Sequence, residues 1–268
     1  MASHSYDPKK VLILGIAGHA RCGKDTASQF IANFFKKNCS EKYANKNTTN
    51  SLLENNVLLD IMRFADPIKL ATVEFMKYFF DVKESGGWHL PASRYFDTDE
   101  ILKQLDEYKN CGELLHGIDI RKTQQQLGSV MRKQNENIFV EIMIERIAKN
   151  VGSNAYDNED EFADFFNMLS GYKKYIIIIP DTRFVNEEKL MREAFGDCYK
   201  LILVDRPEIT EKAARREPPY DHESEQQIGL LNPDIVIKND DNLDNFKTKT
   251  LNQIKKLLVF QGWLNDGL

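Results

Sequence analysis

The sequence predicts an α/β fold, a five-stranded parallel sheet flanked by helices, and three observations carry that expectation. The first is the order strand, glycine loop, helix over residues 11 to 37. There VLILGIAG runs into HARCGKDT, after which Ala27, Phe30, Ile31, Phe34 and Phe35 recur with helical spacing. The second is Tyr175 to Ile179, a continuous apolar run of the kind found in strands covered on both faces. The third is the alternation of strand-like and helix-like segments along the chain, with no internal repeat, which calls for a parallel sheet.

The elements follow in order. Lys9-Lys10 before the first apolar run has the basic start of a secretory signal, but the run is short and an amphipathic helix follows without a break. The expectation is therefore a strand of the mature protein, in a reducing compartment. Residues 38 to 56, polar and rich in Asn and Lys, read as an exposed connection. VLLDIMRFA then supplies a second strand, followed by Asp66-Pro67 as N-cap and first helical residue, with Ile68, Ala71, Phe75 and Phe79 on one face. From Val82 to Ile120 there is no core strand, only Gly86-Gly87-Trp88, the cluster Arg94, Tyr95 and Phe96, and a polar helical piece from Asp99 to Lys109. Thr123 with Gln126 reads as a capping box opening a helix that carries Leu127, Val130 and Met131 on one side. A further amphipathic helix spans Ile138 to Val151, and the acidic DNEDEFADFF leads to the Tyr175 strand. That strand ends in Pro180-Asp181-Thr182-Arg183, and the helix after it, from about Asn186 to Phe195, is stopped by Gly196. Strand YKLILV, the charged stretch Asp205 to Glu225, strand DIVIK and a closing helix with Phe246, Ile254, Leu257 and Leu258 complete the chain.

Composition narrows the function. A chain of 268 residues is long enough for one large domain or one domain with an insert, and 42% hydrophobic content supports a real core. A net charge of −5 argues against general affinity for nucleic acid or anionic membranes, and no apolar run approaches the roughly 18 residues of a membrane span. The cysteines at 22, 39, 111 and 198 are too scattered for a zinc knuckle or a redox pair and read as free thiols. Cys22 reads as a small residue filling a turn rather than a reactive thiol.

A glycine loop that opens a helix aims several backbone N–H groups, and the positive end of the helix dipole, at one point where a phosphate chain fits. Gly18 and Gly23 allow positive φ, and Lys24 sits where it can reach the outer phosphates of a nucleoside triphosphate. The spacing is that of a Walker A loop, G-x-x-x-x-G-K, with one departure: Asp25 stands where Ser or Thr is the rule, and Thr26 follows. Either Asp25 holds a magnesium ion, directly or through water, or Thr26 takes over.

In open parallel sheets the ligand sits beyond the carboxyl ends of the strands. Those ends carry the glycine loop, Arg63 and Asp66, and the set Asp181, Arg183 and Glu187. Joined by Arg132 and Lys133, these charges suit phosphoryl transfer, which needs neutralisation and in-line positioning more than a covalent catalyst. Plainer readings compete: Asp181 and Glu187 as helix-start carboxylates, Arg183 in a surface ion pair, Arg132-Lys133 on a solvated face. The Arg-rich stretch from 206 to 229, with Arg215 and Arg216, suits a lid over the phosphates, the alternative being an exposed helical hairpin. His222 reads as a local cap, not a catalytic base.

These motifs together resemble a family. GxAGxxxxGKDT at 15 to 26, FADPIK at 64 to 69, QQLGSVMRK at 125 to 133, DTRFVNE at 181 to 187, HESE at 222 to 225 and DIVIKND at 234 to 240 are similar to the deoxynucleoside monophosphate kinases known chiefly from bacteriophages. The match runs in order over nearly the whole chain and is weakest in residues 38 to 56 and 82 to 120. The resemblance implies a P-loop kinase that transfers the γ-phosphoryl of ATP, with Mg2+, to a deoxynucleoside monophosphate. It also implies a core of about 8–81 and 172–260, a helical substrate-binding insert of about 82–151 and a lid of about 206–229.

Carried over residue by residue, Gly18, Gly23, Lys24, Asp25, Thr26 and Arg215 would serve ATP, with Asp25 and Thr26 toward the metal. Lys24, Asp25, Asp181, Arg183 and Glu187 would form the catalytic set, and Arg63, Arg132, Lys133, Trp88 and Gln124 would hold the acceptor. Tyr95 joins Trp88 and Gln124 near the base, with a packed core as the competing reading for the aromatics. The implied partners are small molecules, ATP and a deoxynucleoside monophosphate, with no nucleic acid and no membrane. The implied location is cytoplasmic, the host cytoplasm if the source is viral, which the Asn and Lys richness fits. A homodimer is the assembly to test. Two rivals stand beside this reading: a kinase of another phosphorylated acceptor, since animal-type phosphomevalonate kinase shares the GKD loop, and a non-catalytic nucleotide-binding regulator.

Overall fold

The computed structural model describes residues 6–39, 57–74, 119–152, 174–217 and 220–264. The chain divides into two compact units, one made of Met1–Arg63 with Val140–Leu268 and the other of Phe64–Phe139. The second unit begins and ends earlier than the insert expected at about 82–151.

The first unit is built on five parallel strands in the order β2-β3-β1-β4-β5. They are β1 (Val11–Ala17), β2 (Val57–Ile61), β3 (Lys174–Thr182), β4 (Tyr199–Asp205) and β5 (Ile235–Lys238). β1 is central and all seven of its residues are buried, as its unbroken apolar run requires. Alternation along the strands sends Leu12, Leu14, Ile16, Ile176, Ile178, Ile202 and Val204 to one face. There they pack with Ile31 and Phe35 of α1 (Lys24–Cys39) and with Phe246, Ile254 and Leu258 of the closing helix, Leu243–Phe260. The residues between them, among them Ile13, Ile177, Ile179, Tyr199 and Leu201, are buried on the opposite face.

β3 runs three residues beyond the Ile179 end expected from the apolar run, straight through Pro180. Its pairing with β1 explains how. The register steps from Gly15↔Ile179 to Ala17↔Thr182, so β3 carries one extra residue at that point. A bulge leaves an unpaired position, which is where a residue without an N–H is tolerated in a sheet. The extension delivers Asp181 and Thr182 to the carboxyl edge beside the glycine loop.

Helix α5 (Val185–Phe195) starts right after that edge, lies against β4 and is stopped by Gly196 at φ 51°, as expected. Between β4 and β5 come α6 (Pro207–Ala214) and the four-residue α7 (Glu223–Gln226). The closing helix, α8, is capped by Asn242, whose side chain accepts from the Asn245 N–H.

In the second unit, helix α2 covers 66–74 among the described residues. Asp66 is its first helical residue rather than its cap, and Lys69 N–H donates to the Ala65 carbonyl. Its buried face is Ile68, Thr72 and Val73, with Ala71 exposed. The Thr72 hydroxyl donates to the Ile68 carbonyl, which satisfies its polar atom and lets a threonine face inward where the apolar pattern pointed to Ala71.

Helix α3 (Ile120–Gln134) opens three residues before the capping box read at Thr123. Asp119 is the cap, its carboxylate accepting from Lys122 N–H at 2.9 Å, and this leaves Thr123 inside the helix. Its buried line is Ile120, Gln124 and Gly128, while Val130 is 56% exposed. Gly128 allows a close approach: a Cβ there would stand 2.9 Å from the Ile68 Cδ1. Helix α4 (Ile138–Gly152), which belongs to the first unit from Val140 onward, forms as expected, with Met143, Ile147 and Val151 buried. Among the described residues no helix is long and apolar enough to cross a membrane. Phe75, Phe79 and the whole of 82 to 118, with Trp88, Arg94 and Tyr95, lie outside the described residues.

Candidate active site

The site is built at the carboxyl edge of the sheet, where β1 turns into the loop 18–23 and then α1. Gly18 at φ 149° and Gly23 at φ 100° occupy backbone regions closed to other residues. A Cβ on Gly18 would also meet the Val204 carbonyl oxygen at 2.7 Å, so only glycine lets the loop lie this close to β4. The loop is held from outside by Asn239, just after β5, whose side-chain amide donates to the Cys22 carbonyl at 2.8 Å. Cys22 itself is 1% exposed, and burial pushes its thiol up, the opposite of what a reactive thiolate needs. It fills the turn, as the sequence reading favoured.

At the start of α1 the N–H groups of Gly23, Asp25 and Thr26 find no partner among the described residues, which makes a nest for an anion. Lys24 is 5% exposed, yet its ammonium makes no ion pair or hydrogen bond among the described residues. A buried cation beside bare N–H groups favours a negative ligand at that point. The sites thus fit a triphosphate. Asp25 is exposed and Thr26 half-buried, and among the described residues no group of three His, Cys, Asp or Glu could hold a metal unaided. Asp25 and Thr26 each bring an oxygen of the kind a magnesium ion takes.

At the end of β3, Asp181 is half-buried and Arg183 has 37% of its side chain exposed. Glu187 is 3% exposed, and its Oε2 accepts from the backbone N–H groups of Arg183 at 2.8 Å and Phe184 at 3.1 Å. That is the helix-start role weighed against a catalytic one, and it fixes the backbone from which Arg183 projects.

The largest departure from expectation lies in 222–227. His222 caps α7, its Nδ1 accepting from Ser224 N–H, as the sequence suggested. Glu225 was not singled out, yet it is 4% exposed and pressed against the glycine loop. Its Oε2 lies 3.2 Å from His19 Nδ1 and accepts from Ala20 N–H at 3.0 Å, while its Oε1 pairs with Arg183 Nη1 at 3.6 Å. Burial would push this carboxyl up, but His19, the Ala20 N–H and the Arg183 charge together outweigh it and hold Glu225 below the usual carboxylate range. Neighbouring residues tie in too: Gln226 donates to the Ala213 and Tyr220 carbonyls, and Gln227 accepts from Val185 N–H. His19 also stands edge-on to Tyr220, which with Ile209, Ala213 and Ala20 forms a small apolar cluster. The segment expected as a lid is thus anchored at its C-terminal end to the loop. Arg215 is exposed and paired with Glu217 at 2.9 Å.

A cleft of about 500 Å3 opens beside the loop, lined by Thr26, Arg206, Pro207, Asn239, Asp240 and Phe246 among others. Arg206 and Asn239 were not among the expected site residues. The signal available in the sequence was their position, each directly after a strand of the parallel sheet.

Of the other expected residues, Arg63 is exposed at the end of β2. In the second unit Gln124 is buried, Lys133 is exposed, and Arg132 is half-buried with its guanidinium 4.7 Å from the Phe139 ring centre. Trp88 lies outside the described residues.

No protein-family model matches the chain, and no curated protein matches it. Solved structures similar to it include a dephospho-CoA kinase from Campylobacter jejuni, 13% identical with a TM-score of 0.37, covering 91% of this chain and 96% of that one. A thymidylate kinase from Ehrlichia chaffeensis, 13% identical with a TM-score of 0.34, covers 92% of this chain and 98% of that one. Neither likeness is strong enough to bear on the chemistry.

Proposed function

We propose that this chain is an ATP-dependent phosphotransferase whose acceptor is a deoxynucleoside monophosphate. The observation that carries the donor half is Lys24: a buried cation without a partner among the described residues, set among bare N–H groups at the start of α1. The acceptor half rests on the motifs at 64–69, 125–133 and 181–187 and their resemblance to the deoxynucleoside monophosphate kinases.

In this reading the glycine loop and Lys24 bind the outer phosphates, and the nucleoside lies in the cleft lined by Arg206 and Asn239. Arg206 offers a planar cation to the face of the base. Asp25 or Thr26 would hold magnesium, which when bound neutralises charge on the phosphates. Arg183 faces the same edge with most of its donors open and stabilises charge on the moving phosphoryl group. Asp181 would position the metal or the acceptor, and Glu187 keeps the Arg183 backbone in place. Arg63, Arg132, Lys133, Gln124 and Trp88 are carried as acceptor-binding residues on the motif resemblance alone, and Arg215 as an ATP contact on the same ground.

A coupled ADP-release assay over the four deoxynucleoside monophosphates, their ribonucleotide counterparts and phosphomevalonate tests the proposal. Turnover with one or more deoxynucleotides supports it. Turnover with phosphomevalonate alone assigns the chain to the first rival, and ATP binding without transfer to any acceptor assigns it to the second.

A further inference from the structure

We propose that Glu225 is the positioning residue for Arg183, holding that guanidinium in fixed register with the glycine loop by giving one carboxylate oxygen to each. The inference rests on the phosphotransferase reading and goes beyond it, because neither the motif pattern nor the loop chemistry assigns this glutamate a role.

The geometry divides the work of the carboxylate cleanly. Oε2 takes His19 Nδ1 at 3.2 Å and Ala20 N–H at 3.0 Å, both in the loop, while Oε1 faces Arg183 Nη1 at 3.6 Å. With Glu187 Oε2 on the Arg183 N–H at 2.8 Å, the arginine is held at both ends, backbone and guanidinium. A guanidinium has five N–H donors. The contact with Glu225 is an ion pair at 3.6 Å rather than a hydrogen bond, and the side chain remains 37% exposed, so its donors can meet a phosphoryl group.

Two other roles fit poorly. A general base needs a free oxygen facing the acceptor, and both oxygens of Glu225 are engaged at 4% exposure. A purely structural tie would not need Arg183, since His19, Ala20 and the Gln226 bonds already anchor α7. What the Arg183 contact adds is orientation of a flexible side chain, and misplacing a reacting group by about 1 Å can cost about 10²-fold in rate.

The test uses the full chain, comparing wild type, Glu225→Gln, Glu225→Asp, Arg183→Ala and the pair Arg183→Ala with Glu225→Gln. Exposed Glu223→Gln on the same helix serves as the charge control. Melting curves first establish that each variant folds, and Glu225→Asp, which keeps the charge but shortens the reach, stands in if Glu225→Gln does not. The expected result is a fall in kcat of about 10²-fold for Glu225→Gln, with KM for ATP within about threefold and Glu223→Gln unchanged. Added guanidinium should restore part of the activity of Arg183→Ala, where Glu225 can hold it, and none of the double variant. Wild-type kcat in Glu225→Gln, or equal rescue in single and double variants, overturns the proposal alone. A wild type that transfers to no acceptor overturns the phosphotransferase reading and this proposal with it.

Discussion

Replacing Gly18 by alanine tests the path of the loop, and its cost can be worked from the structure. Gly18 sits at φ 149°, a region that costs an L-residue about 1–3 kcal/mol. The added methyl also meets the Val204 carbonyl oxygen at 2.7 Å. That oxygen cannot retreat, because Val204 is 1% exposed and β4 is laddered to β1 on one side and β5 on the other. Overpacking against a fixed backbone adds about 1–3 kcal/mol. A loss of about 2–6 kcal/mol corresponds to a Tm lower by of order 10 °C in a chain this long. Mg-ATP affinity should fall at least about tenfold, since the N–H groups of the nest move with the loop. Gly229→Ala is the control: a Cβ there meets nothing within 4 Å, so its effect should stay within about 0.5 kcal/mol. Scanning calorimetry and titration with Mg-ATP read both quantities. A Gly18→Ala protein that melts within about 2 °C of wild type and binds Mg-ATP equally would refute the described loop.

Three further outcomes are expected. Arg183→Ala should lower kcat by about 10³-fold or more in steady-state assays while Mg-ATP affinity stays within a few-fold, and near-normal turnover would remove Arg183 from the mechanism. Asp119→Ala removes the acceptor for Lys122 N–H and should cost α3 about 1 kcal/mol, visible as a lower urea midpoint; no change would return the helix start to Thr123. Glu225 is held below the usual carboxylate range, so its contribution is present above the ordinary glutamate pKa and is lost as pH falls through the lowered one. Acid unfolding curves of wild type should therefore fall more steeply than those of Glu225→Gln below about pH 4.3, and parallel curves would contradict the tie.

Much of the fold was readable because burial on both faces leaves a local trace. β1 and the Tyr175 run had to be strands, and the glycines between Ala17 and Lys24 had to turn the chain. Where several local signals competed, the wrong one looked as good as the right one. Thr123 with Gln126 makes an acceptable box, but Asp119 was already capping the helix; Pro180 looked like a strand end until a bulge excused its missing N–H. The glycine loop and the β3 edge were readable for the same local reasons. The tie between them was not: His19 and Glu225 are 206 residues apart, and nothing in HESE distinguishes a buried bridging carboxylate from a surface one. Arg206 and Asn239 were likewise hidden, because the cleft they line exists only once β4 and β5 are laid side by side.

Titration of Mg-ATP into wild type and Lys24→Ala tests the central claim most directly, that the turn between β1 and α1 grips a triphosphate. One equivalent should bind to wild type, and losing the buried ammonium's charge-assisted contacts, worth about 1.5–3 kcal/mol, should weaken binding at least about tenfold. No heat with wild type, or equal affinity in both proteins, would contradict it.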